Sequence, residues 1–183
     1  MEAVDGLVWY VAYGSNVSTA RFQRYLDDCP DPTPARRSVA GVLRHRLFFA
    51  YSSRQWEGGG SAFVDPADTG AETLVVAHLV TEAQFLHVLA AENVAHVDAL
   101  DGVELPGPGE TRVALPGRYG LVVGAESTDE RPAYTFTTSA DPLPAPTLPS
   151  VRYLDTIAEG LRQHHGLADA DARRYLAAHG GVS

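Results

Sequence analysis

The sequence contains no lysine, so each of its 14 fixed positive charges is an arginine. These arginines occur singly or in pairs and form no basic block, and the chain carries a formal net charge of -9. Proteins that bind nucleic acids usually need a basic face that neutralises phosphates and releases counterions. The composition therefore argues against a nucleic-acid partner.

Cysteine is also scarce, because Cys29 is the only one. It has no partner for a disulfide or for a thiolate metal site, which suits a reducing compartment. No apolar run approaches the roughly 20 residues that span a bilayer. The N-terminus has Glu2 and Asp5 before Leu7, where a secretory signal would have a basic segment and then an apolar one. We expect a cytoplasmic protein with no membrane partner.

The length and apolar content fit one globular domain. With 183 residues, of which 45% are hydrophobic, the chain can bury a core that needs no disulfide or structural metal. We therefore expect a single domain over residues 1–183.

The pattern of apolar residues predicts a mixture of strands and helices. Leu7–Tyr13 is an apolar run of strand length, and a helix capped by Ser18 or Thr19 follows it. Further strands are expected at 38–52, as one bent strand or two short ones, and at 57–66, 72–80, 111–115, 119–125 and 133–138. Further helices are expected at 81–94, at 150–166 and from Asp169 onward, with a proline-rich strap at 139–150. These elements predict a small mixed α+β domain whose strands could close into a barrel.

The first strand leads into Tyr13-Gly14-Ser15-Asn16, a turn of small and polar residues. Glycine tolerates positive φ and lets a ligand approach the backbone, and the first N–H groups of the following helix are unpaired donors at its positive end. Such a turn can hold a carboxylate or phosphate. Taken alone, it is better interpreted as a tight strand-to-helix turn with Ser and Asn as caps.

Glu92 falls on the apolar face of the helix that follows Thr81. At 3.6 residues per turn, Phe85 and Val88 lie within about 40° of it, and Leu89 lies about 60° to the other side. Loss of water would raise the pKa of a carboxyl in that position, so that it could take and return a proton near neutral pH. The alternative is that the helix ends by Ala91 and that Glu92 points to solvent.

The histidines and Ser15 give little evidence for other chemistries. No two histidines have HExxH spacing, and His164 and His165 are expected to be a pair of cations at a helix C-terminus, so a metal is not predicted. Ser15 lacks the G-x-S-x-G context of a nucleophile, which leaves a serine hydrolase unsupported. Gly160, inside a helix, predicts a tightly packed neighbour. Tyr134 is either a core residue or a pocket wall.

Several segments together resemble the γ-glutamylcyclotransferase family, which includes the AIG2-like proteins. The resemblance is carried by WYVAYGSNVSTARF, by WEGGGSAFVDP with LVVAHLVTEAQFLHVLAAEN, and by AYTF before LPSVRYLDTIAEGLRQHHGL, in the family's order. It implies a small β-barrel with flanking helices. It also implies cleavage of a small-molecule γ-glutamyl amide by its own α-amine, which releases 5-oxoproline and a free amine without a metal or organic cofactor.

The resemblance also implies roles for individual residues. The family's catalytic glutamate matches Glu92, which would serve as general base and then as general acid. The predicted substrate-binding residues are Tyr10, Val11, Ala12, Tyr13, Gly14, Ser15, Asn16 and Tyr134. Two residues depart from the family pattern: Leu89 replaces an aspartate and makes the neighbourhood drier, and Asn93 replaces a glycine that permits a special backbone angle. A non-catalytic binding protein of the same fold is the alternative.

Overall fold

A computed structural model describes residues 6–127 and 129–180 of the chain, and residues 1–5, 128 and 181–183 lie outside the described part. The prediction of a single domain over residues 1–183 therefore extends beyond the described residues and stays a prediction. No helix within them has the length and apolar character that a membrane crossing requires.

Eight strands lie within the described residues, close to their predicted positions. They are β1 (Leu7–Ala12), β2 (Arg37–Leu43), β3 (Leu47–Ser52), β4 (Gly60–Val64), β5 (Thr73–Thr81), β6 (Thr111–Val113), β7 (Leu121–Ala125) and β8 (Ala133–Thr137). The segment 38–52 forms two strands instead of one bent strand. Short 3-10 turns occur at Ser15–Val17, Arg54–Trp56 and Val97–Leu100.

Four α-helices lie within the same residues. They are α1 (Thr19–Asp27), α2 (Glu82–Glu92), α3 (Val151–His165) and α4 (Asp169–Gly180). Local capping explains the ends of α3, because Ser150 Oγ accepts the Tyr153 N–H at its start and Gly166 adopts a left-handed φ of 67° at its end. The predicted limits of α3 are confirmed.

The strands form two sheets. The larger has six strands in the order β2-β5-β1-β8-β7-β6, and the smaller pairs β3 with β4 antiparallel. Within the larger sheet, β1 and β8 are parallel, whereas β7 is antiparallel to both of its neighbours. The predicted mixed α+β class is confirmed, and closure into a barrel stays a prediction.

Two compact units of the chain can be described separately. The first comprises the residues up to Val11, Gln23–Val39 and Ala77–Ser139. The second comprises Ala12–Phe22, Ala40–Val76 and the residues from Ala140 onward. The division cuts strands β1, β2 and β5, so each of these strands has one part in the first unit and one part in the second.

An aromatic cluster forms the core of the first unit. The Tyr10 ring stacks on Phe136 at a centroid distance of 5.2 Å and lies 6.0 Å from Phe85 of α2. Thr81 and Gln84 hold the start of α2 in a capping box, in which each side chain bonds to the other residue's backbone N–H. The Gln84 amide also donates to the carbonyl oxygens of Asp31 and Thr33, which ties α2 to the segment after α1.

In the second unit, the glycines of the WEGGGS segment lie against the end of the strap. The Gly60 N–H donates to the Leu148 carbonyl at 2.8 Å, and the Thr147 N–H donates to the Phe49 carbonyl at 2.9 Å. A Cβ on Gly60 would clash with the Thr147 carbonyl oxygen, and one on Gly59 would lie 3.0 Å from the carbonyl carbon of Pro149. Close approach of two backbones therefore accounts for glycine at these positions.

Candidate active site

The tight turn between β1 and α1 contains a short 3-10 segment. Residues Ser15–Val17 form a 3-10 turn, which is closed by hydrogen bonds from Val17 N–H to the Gly14 carbonyl and from Ser18 N–H to the Ser15 carbonyl, each 3.1 Å. Helix α1 begins only at Thr19, where Ser18 Oγ lies 3.4 Å from the Arg21 amide nitrogen. The start of α1 at Thr19 agrees with the predicted cap at Ser18 or Thr19, and the 3-10 turn precedes it.

Gly14 is needed for space and not for a left-handed backbone. Its φ is -102°, outside the region of positive φ. A Cβ built on it would lie 2.9 Å from the Tyr153 hydroxyl oxygen and 3.3 Å from the Ala62 Cβ. Any side chain larger than hydrogen would therefore press on Tyr153 of α3.

The predicted binding residues of this turn are largely buried. Ser15 is 8% exposed and Asn16 is 4% exposed, while Ala12 and Tyr13 also belong to the core of the second unit. Across the described residues, Ser15 Oγ makes no hydrogen bond, so the structure ties no histidine to it as the base that a serine nucleophile needs. The Ser15 hydroxyl therefore keeps its donor capacity.

In the first unit, α2 buries the predicted apolar face. Phe85, Val88 and Leu89 are fully buried, and Glu92 is the last residue of the helix and is half-buried. The alternative in which the helix ends by Ala91 was wrong. The fully buried Leu89 also makes this side of α2 apolar, as expected from its replacement of an aspartate.

Asn93 links the end of α2 to a later loop. Its Nδ2 donates to the Leu89 carbonyl at 2.9 Å, and its Oδ1 accepts the Tyr119 N–H at 3.0 Å. Asn93 itself has an ordinary φ of -98°, whereas Val94 has a φ of 54°. The special backbone angle expected at position 93 therefore falls one residue later, on a β-branched residue that is 97% exposed.

Tyr10 and Tyr134 are brought together by the parallel pairing of β1 and β8, in which they are direct partners. The Tyr134 ring lies 5.4 Å from Phe85, so α2 covers both tyrosines, and Val11 follows Tyr10 in the buried strand. The structure thus gathers Tyr10, Tyr134 and the face of α2 that precedes Glu92 within the first unit.

The hydroxyl of Tyr134 is held protonated by its surroundings. Burial raises its pKa, and the Glu82 carboxylate raises it further. This hydroxyl makes no hydrogen bond within the described part of the chain, which leaves a donor available. Glu82 lies ten residues before Glu92 on α2, about 15 Å along the helix axis at 1.5 Å per residue, so the negative charge near Tyr134 belongs to the first turn of α2.

The prediction of a cationic histidine pair at the end of α3 was wrong for His164. Its Nε2 lies 2.9 Å from Thr19 Oγ1, and burial lowers its pKa, with the neighbouring His165 lowering it further. His164 is therefore neutral near pH 7. Among the residues that the structure describes, no three histidine, cysteine, aspartate or glutamate side chains form a group suited to a metal ion.

Tyr153 is the site residue that the sequence did not single out. Its hydroxyl accepts the Ala62 N–H at 3.1 Å and abuts Gly14, although it lies far from both in the chain. The only signal in the sequence was its place in the LPSVRYL segment. The tightly packed neighbour predicted for Gly160 is confirmed, since a Cβ there would lie 2.5 Å from the Val17 carbonyl group and the Ser18 nitrogen.

Comparison with solved structures identifies the fold. A structure described as "Gamma-glutamyl cyclotransferase" matches with a TM-score of 0.61 and 18% sequence identity, over 93% of this chain and 87% of that one. A crystal structure of an uncharacterized protein from Homo sapiens matches with the same TM-score and identity, over 94% and 88% of the two chains. The chain therefore has a γ-glutamyl cyclotransferase-like fold, and the predicted resemblance is confirmed at that level.

Comparisons of sequence add a partial likeness. No family model matches the chain. A curated protein named "Histone deacetylase 5", from Arabidopsis thaliana, is 29% identical in an alignment 199 residues long. The alignment covers 92% of this chain and 30% of that protein. The chain thus spans less than a third of that relative's length, and the relative's name describes a much longer polypeptide.

Proposed function

We propose that this chain is a γ-glutamylcyclotransferase-like enzyme that cleaves a small γ-glutamyl amide, with Glu92 as its general base and acid. The observation that carries the proposal is the fold shared with a γ-glutamyl cyclotransferase over 93% of the chain, at a TM-score of 0.61. The half-buried Glu92 at the end of α2, where the family resemblance puts the catalytic carboxylate, supports it. Closure of the sheet into the family's barrel and a cytoplasmic location belong to the same proposal.

The proposed reaction needs one group that moves a proton twice. The substrate's α-ammonium is no nucleophile, so Glu92 first removes a proton from it. The free amine then attacks the γ-carbonyl carbon, and the five-membered ring of 5-oxoproline closes. As the bond between that carbon and the amide nitrogen breaks, the protonated Glu92 returns its proton to the leaving amine, and the ring nitrogen loses its second proton to water. Neither step requires a metal or an organic cofactor.

The surroundings of Glu92 suit that role. Glu92 is half-buried at the C-terminal end of α2, three residues after the fully buried Leu89, and this burial limits its contact with water. The Asn93 side chain joins the end of α2 to Tyr119, which supports a fixed position for the neighbouring Glu92. A rigid base is what an intramolecular attack of this kind needs.

We propose that the turn at Gly14–Asn16 holds the substrate's α-carboxylate. The Ser15 hydroxyl keeps its donor capacity, because it makes no hydrogen bond within the described residues. Tyr10, Val11, Ala12 and Tyr13 lead into this turn along β1 and are proposed to shape its approach. The hydroxyl of Tyr134 stays protonated at neutral pH and is proposed as a second donor to the substrate.

The test is a screen for 5-oxoproline release from chemically varied γ-glutamyl amides: γ-glutamyl amino acids, γ-glutamyl polyamines and neutral γ-glutamyl alkylamides. We expect release from at least one class and its loss, by at least about 10²-fold, in Glu92→Gln. Glu159→Gln, at an exposed glutamate of α3, is the matched control and should keep its activity. Turnover that persists in Glu92→Gln would remove Glu92 as the base.

The same screen separates the alternative of a non-catalytic binding protein. Such a protein would be stabilised against heat by glutamate or 5-oxoproline, because a ligand that binds the folded state raises its melting temperature. It would release no 5-oxoproline from any substrate class. Stabilisation without turnover would therefore replace the enzymatic proposal.

A further inference from the structure

Helix α3 contacts the substrate-holding turn and the start of α1 along one of its faces. Tyr153, Gly160 and His164 stand seven and eleven residues apart, so at 100° per residue they lie within about 40° of one another around the helix. Tyr153 meets Gly14, Gly160 meets Val17 and Ser18, and His164 meets Thr19. One rigid face of α3 therefore follows the chain from residue 14 to residue 19.

The Tyr153 side chain is held by ring contacts and by a hydrogen bond within the second unit. Its ring lies 4.5 Å from the Trp56 ring and meets Phe49 edge-on at 6.1 Å. Its hydroxyl accepts the Ala62 N–H at 3.1 Å, which anchors the oxygen to β4. Ring packing and the hydrogen bond to Ala62 therefore both fix the position of the Tyr153 oxygen next to Gly14.

We propose that Tyr153 is a positioning residue that sets the Gly14–Asn16 turn for binding the substrate's carboxylate. The inference rests on the proposed function. Gly14 has no side chain to separate its backbone from the Tyr153 oxygen, so the backbone of the turn packs directly against that oxygen. Removal of the oxygen leaves a gap beneath Gly14 and leaves the Ala62 N–H without its acceptor, and both changes allow the turn to move.

Tyr153→Phe tests the proposal, because it removes one oxygen and keeps the ring packed between Trp56 and Phe49. The turn would hold the carboxylate equally in the ground state and in the transition state, so a looser turn should raise KM and leave kcat unchanged. We expect a rise in KM of about tenfold, a kcat within about twofold of the original and an unchanged pH profile, since Glu92 is untouched.

Tyr175→Phe is the matched control. Tyr175 of α4 also accepts a backbone N–H through its hydroxyl, from Leu74 at 2.9 Å, in the same unit of the chain. The two variants therefore lose the same kind of hydrogen bond to a strand, but only Tyr153 touches the turn. Tyr175→Phe should lower the melting temperature and leave KM unchanged. A rise in KM of equal size in both variants would overturn the proposal.

Hydrogen exchange gives a readout that does not depend on catalysis. The Val17 and Ser18 amides close the 3-10 turn through their bonds to Gly14 and Ser15, so their exchange rates report its opening. We expect exchange at these two amides to be about tenfold faster in Tyr153→Phe and unchanged in Tyr175→Phe. Should Tyr153→Phe not fold, Gly14→Ala presses on the same oxygen and should accelerate the same amides.

The two readouts separate the failure of each proposal. If the unaltered protein releases no 5-oxoproline, the proposed function fails, and the exchange rates at Val17 and Ser18 still decide whether Tyr153 sets the turn. If both KM and these exchange rates are unchanged in Tyr153→Phe, the positioning role is refuted while the cyclotransferase proposal stands.

Discussion

The hydroxyl oxygen of Tyr153 occupies the space into which a side chain on Gly14 would extend. A Cβ on Gly14 would lie 2.9 Å from that oxygen, closer than Cβ atoms come to non-bonded heavy atoms in folded proteins. The oxygen cannot withdraw freely, because it accepts the Ala62 N–H. Gly14 and Tyr153 therefore pack as a pair, although they are distant in the chain. Ala62, which fixes the tyrosine oxygen, is itself 91 residues away from Tyr153.

Gly14→Ala should destabilise the protein by about 1–3 kcal/mol, the usual cost of forcing a methyl group into a packed core. Removal of the opposing oxygen in Tyr153→Phe should relieve about 1 kcal/mol of this cost, so the two changes should be coupled in a double-mutant cycle. Urea unfolding of the four proteins measures the coupling. Additive effects would show that the clash is not with the Tyr153 hydroxyl.

The contact between Gly14 and Tyr153 marks the limit of what the sequence could predict. The ends of α3 were predicted because Ser150 and Gly166 cap them locally, within three or four residues of the groups they bond. The burial of the α2 face near Glu92 followed from the helical period alone. Tyr153, in contrast, is defined by partners from β4 and from the turn after β1, and no local pattern brings such partners together.

The error at His164 has the same physical origin, whereas the unexpected φ of Val94 has a local one. His164 was predicted to be cationic because the helix C-terminus favours positive charge, but burial against distant parts of the chain, together with the neighbouring His165, lowers its pKa and outweighs the helix dipole. Val94 was not predicted to have a positive φ, because β-branched residues avoid that conformation. Its backbone is constrained by hydrogen bonds from Val94 and Ala95 to the last turn of α2.

Val94→Gly should stabilise the protein. Val94 has a φ of 54° and is 97% exposed, so the substitution removes backbone strain and forfeits almost no burial. The left-handed conformation costs a non-glycine residue about 1–2 kcal/mol, and glycine removes this cost. Glycine also makes the unfolded chain more flexible, which cancels about half of the gain. We expect a net gain of about 0.5–1 kcal/mol in the free energy of unfolding, measured with urea.

Val94→Ala is the control for that change. Alanine lacks the β-branch but still has a Cβ, so it should recover less stability than glycine does. A loss of stability in Val94→Gly would mean that the valine side chain makes a contribution that its exposure does not reveal.

Cys29 should be unreactive in the folded protein. Burial, together with the nearby carboxylates of Asp31 and Asp28, raises the pKa of its thiol from the ordinary value of 9.0 to about 11. Because the thiolate is the nucleophile, its population at pH 8 is about 100-fold lower than for a thiol in water. Alkylation with iodoacetamide should be slower than in guanidinium-unfolded protein by at least that factor. Equal rates in the two states would contradict the buried environment.

The neutral state of His164 makes a contribution to stability that depends on pH. Its folded pKa lies below the ordinary value of 6.5, so the unfolded chain binds more protons as the pH falls. The contribution is complete above about pH 6.5 and is lost as the pH falls below it.

His164→Gln keeps a side-chain group that can bond to Thr19 and cannot titrate in this range. Its unfolding free energy should therefore fall less between about pH 7 and pH 5 than that of the unaltered protein, as measured with urea at each pH. The exposed His96, changed to Gln, is the control and should not reduce the fall. A reduction as large as in His164→Gln would assign the pH dependence to general charge and not to the burial of His164.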